Sequence, residues 1–407
     1  MAISTQLQIF GQALNIQKPW IITQIEFKKE EKRLDIWVDF ERGARHPCPN
    51  CAQEDCIVHD TIDKEWRHLD FFQYEAYIHC RVPRVKCDTC GVRIIDVPWS
   101  RRSSGFTLLF ETMIVLMAQD MQISQIGERV NEIDTRLWRI VKHYVKKAMK
   151  NQDLSGITAV CMDETSEKKG HEYITVFADQ VSRRVLFVCK GKDASTIGKF
   201  VQELLCHHGD PRTIHLACCD MSPAYISGIP EYLENAEITF DKFHVMMTVN
   251  RGVDAVRRVE QKTNEILKKT RFIWLKNPEN LTDKQSDSLK SLKELNLVTA
   301  LAYQMKLNLK EIWKIKDPSA AEQYFEMWYS WIIQSHLKPM IEAAETLKRH
   351  LYGILNYFKN GGSNGFLEAI NGIIQALKRT ARGYRNTDNF ATMIYLRCGK
   401  LQFDLPT

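Results

Sequence analysis

The sequence predicts an α+β fold of several domains, and three observations carry the prediction. The first hundred residues show short β-patterned runs around two Cys-x-x-Cys pairs, Cys48/Cys51 and Cys87/Cys90. Residues 106–150 switch to a helical period, with a short helix, a tight turn and a longer helix. From Ile157 the order is strand–strand–strand–helix–strand–helix–strand, which is RNase H-like, and a long helical block then interrupts it. The expected divisions are a zinc-binding, β-rich N-terminal module over 1–100 and a helix-turn-helix bundle over 101–152. An RNase H-like α/β domain follows in two parts, 153–250 and 351–407, around an all-helical insertion over 251–350.

A chain of 407 residues exceeds one ordinary hydrophobic core, in keeping with this division. Its 44% hydrophobic and 10% aromatic content supports packed domains and argues against disorder. The net charge of +6 is modest, so the clustering of charge matters more than its sum. The start, Met1-Ala-Ile-Ser-Thr-Gln, lacks the basic and apolar regions of a signal peptide. No uncharged apolar run is long enough to cross a bilayer, so a cytoplasmic protein without membrane contact is expected. Its twelve cysteines are then expected to be reduced, as metal ligands or small core residues.

In the N-terminal module, two alternating runs within residues 21–41 flank the charged stretch Lys28–Arg33 and read as a β-hairpin. Each Cys-x-x-Cys sets two thiolates on one tight turn, and two such turns complete a closed, tetrahedral structural zinc site. The bland alternative is core or redox-active cysteine. Cys56, Cys80 and His46 are the substitute ligands. Cys161, Cys189, Cys218 and Cys219 lie in apolar strands and read as small buried residues.

Arg101–Gly105 reads as a polar, basic linker. Three helices follow, marked by Phe110, Met113, Ile114 and Met117, by Ile123, Ile126 and Val130, and by Leu137, Ile140, Val141 and Tyr144. Asn131 and Asp134 supply a turn and an N-cap between the last two. The proportions of residues 122–141 direct Thr135, Arg136 and Arg139 towards a DNA major groove. Lys142, Lys146 and Lys150 extend the positive charge, with Arg136, Arg139, His143, Lys146 and Lys150 at helical spacing. The bland alternative is a solvated basic face, but phosphate neutralisation dominates DNA affinity and favours binding.

In the RNase H-like domain, loops at Lys168–Gly170 and Ser182–Arg184 separate the first three strands. The strand from Ile157 runs to Asp163 and the strand from Ile214 runs to Asp220. Glu368 heads the polar side of a later helix whose apolar stripe is read as Phe366, Ile370, Ile373 and Leu377. Asn371, Gln375, Arg379 and Arg382 share its polar side. A lone strand-end aspartate is more often a cap or turn residue. Two at matching strand ends with a later helix glutamate are what a two-cation phosphoryl-transfer centre needs, with hard oxygen ligands on rigid elements and ions about 4 Å apart. Glu164 is set aside as facing the other way, and Asp179 reads as a turn residue. His244, three residues after Asp241, either orients a phosphate or a ligand-bound water, or caps the next helix. Trp274, Trp313, Trp328 and Trp331 in the insertion read as core, ahead of a base-stacking role.

With these residues placed, the chain resembles the DDE transposases of bacterial insertion sequences, and among them the ISL-three family. The resemblance rests on the cysteine pairs, Met162-Asp-Glu-Thr-Ser, Cys219-Asp-Met-Ser-Pro-Ala-Tyr, Asp241-Lys-Phe-His, Asn364-Gly-Phe-Leu-Glu-Ala-Ile-Asn-Gly and Lys378-Arg-Thr-Ala-Arg-Gly-Tyr-Arg-Asn. It implies that Asp163, Asp220 and Glu368 are the catalytic triad, holding two Mg²⁺ or Mn²⁺ ions, with Asp241 and His244 as an accessory Asp-x-x-His step. It also implies that Lys378, Arg379, Arg382 and Arg385 grip the cleaved strand. Double-stranded DNA at element ends and at the target would be the partner, bound by a homodimer or larger assembly without any nucleotide cofactor. The rivals are a DNA-binding regulator with a non-catalytic RNase H-like body, and a nuclease or resolvase that never joins strands.

Overall fold

A computed structural model describes residues 2–166, 173–361 and 365–405, with the side chains of residues 2–5 left out. The loop expected at Lys168–Gly170, and Asn364 of the glutamate motif, lie outside the described residues. The chain forms two compact units, Met1–Lys146 with Gln402–Thr407, and Lys147–Leu401.

The first unit opens with α1 (Ala2–Ala13), which carries no acidic first turn or basic last turn to announce it in the sequence. The expected hairpin is present as β1 (Trp20–Lys28) and β2 (Arg33–Phe40), paired antiparallel. Then come β3 (Ile57–Arg67), β4 (Glu75–Cys87) and the short β5 (Gly91–Ile94). The sheet order is β1-β2-β4-β3, with β5 on β4. Leu34, Ile36, Val38, Ile78 and Val82 alternate onto one face, and they build the core with Val85, Trp20, Trp66 and Trp99. Strands β3 and β4 are longer than the short strands expected. Their hairpin fills the chain between the two cysteine pairs.

Helices α2 (Leu108–Asp120), α3 (Ile123–Val130) and α4 (Asp134–Lys150) follow. Thr107 caps α2 by accepting the Phe110 N–H, and Asn131 ends α3 in the left-handed conformation. The turn to α4 is tight because Gly127 has no Cβ: one added there would meet the Glu132 carbonyl oxygen at 2.6 Å. Residues 101–105 are not a free linker. The Glu111 carboxylate is fully buried in α2 and takes hydrogen bonds from Arg101 Nε (2.9 Å), Ser104 Oγ (2.6 Å) and Tyr144 Oη (3.0 Å). A buried carboxylate needs such donors, so it orders the segment that polarity alone marked as loop.

The second unit is built on β6 (Ala159–Ser166), β7 (Tyr173–Asp179), β8 (Arg184–Lys190), α5 (Ser195–Cys206), β9 (Leu216–Cys219), α6 (Pro223–Tyr232) and β10 (Glu237–Phe240). Among the described residues the sheet order is β10-β9-β6-β7-β8, with β9 parallel to both its neighbours and β7 antiparallel to β6 and β8. This is the RNase H-like arrangement. Asp179 is a turn residue, its carboxylate accepting the Val181 and Ser182 N–H groups. Cys161, Cys218 and Cys219 are buried in the sheet, and Cys189 is half-buried.

Seven helices then lead back to the sheet: α7 (Lys242–Glu260), α8 (Arg271–Leu275), α9 (Asp283–Lys293), α10 (Val298–Lys310), α11 (Pro318–Gln334), α12 (Lys338–Arg349) and α13 (Leu351–Asn360). Trp274 and Trp328 are core residues of this block, their indole N–H groups bonded to Thr270 Oγ1 and the Met305 carbonyl. One continuous core joins this block to the sheet. Helix α13 seats on β10 through Asn356 Nδ2 to the Ile238 carbonyl (2.8 Å) and through Gly353 against the Phe240 ring. Finally α14 (Gly365–Thr380) and α15 (Thr387–Cys398) close the unit.

Candidate active site and metal centres

Four thiols come together in the first unit. Cys48, Cys51, Cys87 and Cys90 have ligand atoms within 4.8 Å of one another. Cys51 Sγ and Cys87 Sγ are 3.5 Å apart, near the edge of about 3.8 Å that a tetrahedron of Zn–S bonds demands. The Cys48 thiol is lowered to about 6, first by the backbone N–H groups of Cys51 and Asn50. Such donors stabilise a thiolate, the form that binds metal. The donor set therefore fits a closed zinc site. The substitute ligands stay outside it. Cys80 is pushed up to about 12 by burial, Cys56 Sγ bonds to the Gln53 carbonyl, and His46 packs on Trp20 and Phe40. A second close group, Asp35, Glu65 and His79, is already neutralised by Lys28 and Arg33.

The basic face of α4 is present with one member turned away. Thr135, Arg139, His143, Lys146 and Lys150 are exposed and Lys142 is half-buried. Arg136 pairs with Glu132 at 2.8 Å and lies 4.3 Å over the Phe106 ring. It therefore also braces the bundle.

In the second unit, strand register builds the carboxylate centre. Cys161 of β6 pairs with Cys218 of β9, so two residues further Asp163 stands beside Asp220. Phe240 of β10 pairs with Cys219, so Asp241 stands beside Asp220 in turn, and its N–H bonds the Cys219 carbonyl at 2.9 Å. Register thus sets three aspartates side by side, Asp220 and Asp241 one residue past the ends of β9 and β10. Asp163 is not at the tip of β6, which runs on to Ser166 against β7; it lies just past the last β6–β9 pair. Asp241, expected only as part of an accessory Asp-x-x-His step with His244, stands in register with the other two.

His244, on the first turn of α7, places Nε2 3.9 Å from Asp163 Oδ1 and 4.0 Å from Asp241 Oδ2. Asp241, not His244, caps α7 by accepting the Phe243 N–H. Burial raises the Asp163 carboxyl, against the lowering effects of the Glu164 N–H and His244, while Asp220 adds to the rise. Burial likewise pushes Asp241 up to about 6, with Glu368 and Asp163 adding to it. Desolvated carboxylates crowded in this way are relieved by a divalent cation, so the donor chemistry fits one.

Glu368 is exposed on the first turn of α14. Among the described residues, no three of Asp163, Asp220, Asp241, His244 and Glu368 have ligand atoms within one 4.8 Å group. The buried stripe of α14 is Leu367, Ile370, Ile374 and Leu377, not the expected set, and Ile373 is exposed. Asn371 Nδ2 donates to Asp163 Oδ2 (2.6 Å), Gln375 Nε2 to Thr165 Oγ1 (2.5 Å), and Lys378 Nζ to the Ser166 carbonyl (2.7 Å). Lys378 therefore fastens α14 to β6, while Arg379, Arg382 and Arg385 are exposed. A cavity of about 480 Å³ opens beside Glu368, with Trp313, Phe243 and Lys242 in its wall; Trp331 is half-buried.

Comparison with known proteins gives the family. Residues 160–394 match the family model described as "Transposase", residues 95–145 the "Helix-turn-helix domain of transposase family ISL3", and residues 44–90 the "zinc-finger of transposase IS204/IS1001/IS1096/IS1165". The chain is 30% identical over 356 residues to the transposase for insertion sequence element IS1001 of Bordetella parapertussis, covering 84% of this chain and 86% of that one. It is 25% identical over 418 residues to the transposase for IS1557 of Mycobacterium tuberculosis, covering 93% of each. The four cysteines accordingly form a structural zinc site, α3 and α4 a DNA-binding helix-turn-helix, and the chain belongs to the ISL3 family of transposases.

Proposed function

We propose that this transposase binds the terminal inverted repeats of an insertion sequence, cleaves there, and joins the freed 3′ end to target DNA. The row of Asp163, Asp220 and Asp241 under Glu368 is the observation that carries the reading. Asp163, Asp220 and Glu368 would hold divalent cations, Mg²⁺ or Mn²⁺, and Asp241 adds charge at the same face. When bound, such ions activate an attacking oxygen and neutralise the leaving one. Ligands shared between two ions about 4 Å apart span more than one ion's coordination shell, in keeping with the spread of Glu368 from the aspartates.

The chemistry balances without a covalent protein intermediate. Water attacks the phosphodiester, leaving a 3′-hydroxyl at the element end and a 5′-phosphate on the flank. That hydroxyl attacks a target phosphodiester, forming one P–O bond as another breaks and releasing a target 3′-hydroxyl. His244, within 4 Å of two carboxylates, is placed to hold or orient the attacking water's proton. Arg379, Arg382 and Arg385 line the way for the strand's phosphates. Thr135, Arg139, Lys142 and Lys146 on α4 would read the end, with the zinc module beside them in sequence. Paired ends call for a homodimer or larger assembly.

The test incubates purified protein with labelled element-end DNA, Mg²⁺ or Mn²⁺, and a plasmid target, beside Asp163→Asn. Cation-dependent nicking and end-joining, reduced by roughly 10²-fold or more in the variant with end-binding kept, is the expected result. Cleavage retained by Asp163→Asn would remove Asp163 from the centre. Tight end-binding without cleavage under either cation would make the protein a DNA-binding regulator.

A further inference from the structure

Asn371 occupies an unusual position. It lies on α14 three residues after Glu368, so the two side chains share one side of the helix. Its Nδ2 donates to Asp163 Oδ2 at 2.6 Å, and the other Asp163 oxygen takes the Glu164 N–H at 2.8 Å. The Asp163 carboxylate is thereby fixed at both oxygens. The remaining polar atom, Asn371 Oδ1, is buried and has no hydrogen-bond partner among the described residues.

An orphaned buried acceptor costs on the order of 1–3 kcal/mol. Of the twelve buried side-chain N and O atoms without a hydrogen-bond partner among the described residues, Asn371 Oδ1 is the one on a side chain bonded to Asp163. Its partner Asp163 is an ionisable acceptor and has no hydrogen to give when charged. The next rungs of the same ladder differ. Gln375 and Lys378 bond to Thr165 and Ser166, further along β6, and neither leaves a buried polar atom unpaired among the described residues. An amide oxygen beside crowded carboxylates is a ligand type that hard divalent cations accept.

We propose that Asn371 is a neutral oxygen ligand of the carboxylate centre, its N–H₂ group positioning Asp163 and its Oδ1 binding the divalent cation directly. This rests on the reading of Asp163 as a cation ligand. It adds a donor without adding charge, and couples the seating of α14 on β6 to the geometry of the ion.

Direct Mn²⁺ binding to the full-length, zinc-loaded chain, followed by electron paramagnetic resonance of the free ion, tests it without reference to activity. Four variants are compared: Asn371→Leu, Asn371→Asp, Gln375→Leu and Asp163→Asn. Asn371→Leu is expected to weaken Mn²⁺ binding about 10–100-fold. Asn371→Asp, which restores an oxygen ligand but not the donor, recovers most of it. Gln375→Leu loosens the helix one turn away and leaves the Mn²⁺ affinity unchanged. Wild-type affinity in Asn371→Leu, with Asp163→Asn weakened, would overturn the proposal and leave the centre intact. Wild-type affinity in both would bring down the centre as well. Equal weakening by Asn371→Leu and Gln375→Leu would reduce Asn371 to a helix anchor.

Discussion

The aspartate row is a consequence of single residues following in-register strands. Each of β6, β9 and β10 delivers its carboxylate at the same height, so the charges crowd before any cation arrives. Asp241 shows the cost. Its folded value of about 6 stands above the ordinary 3.8, so between these the folded chain keeps a proton that the unfolded chain has released. Stability of zinc-loaded, magnesium-free protein should therefore be fullest near pH 4 on this account, fall towards pH 6, and level off above it. Asp241→Asn keeps an acceptor for the Phe243 N–H and should remove this part of the slope. It should raise stability at pH 7 by about 1–3 kcal/mol, the upper figure being the full shift. Urea unfolding at a series of pH values checks it, and a slope unchanged from wild type would show that Asp241 does not carry the strain. Asp220 was legible as a strand-end residue in the sequence, and Asp163 as a strand residue whose strand in fact continues to Ser166. Asp241 was legible only as part of an accessory step after a strand, because register with β9 is not written in the four-residue strand Glu237–Phe240.

Helices show where periodicity stops being informative. On α14 the doublets Phe366-Leu367 and Ile373-Ile374 give two apolar stripes of equal quality. The hydrogen bonds of Asn371, Gln375 and Lys378 to β6 select the one that buries Leu367 and Ile374. On α4 the basic spacing was right, but Phe106 and Glu132 claim Arg136. The two arginines of this helix should then behave differently. Arg139→Ala should weaken binding to element-end DNA and lower the slope of log affinity against log salt by about 1. Arg136→Ala should leave that slope nearly unchanged and lower the melting temperature instead. Fluorescence anisotropy at several salt concentrations separates them, and a unit loss of slope in Arg136→Ala would return that residue to the DNA interface.

At the scale of the molecule, two compact units make separate demands on stability. The first unit relies on four thiolates and a modest core. Apparent zinc binding of about 10–16 kcal/mol in small structural sites is as large as the stability of a whole domain. Chelation, or Cys87→Ser, should therefore abolish end-binding and remove one calorimetric transition, leaving the transition of residues 147–401 in place. Loss of both transitions together would show that the second unit depends on the zinc module. The expected boundary between insertion and sheet at residue 250 falls inside α7, which starts beside Asp241 and runs without a break into the helical block. Among the described residues no helix is long and apolar enough to cross a membrane.

The sequence by itself determined the order of elements, the four clustered cysteines and the helix-turn-helix, and it singled out Asp163, Asp220 and Glu368 as candidates. Each of these is set by local chemistry: thiolate pairs on tight turns, the period of apolar residues, charge at the end of a buried strand. Tertiary structure alone decided that Asp241 joins the row, that Arg136 and Lys378 serve the fold, and that Asn371 meets Asp163. These depend on strand register and helix rotation, which arise only when elements far apart in the chain bury their surfaces against one another.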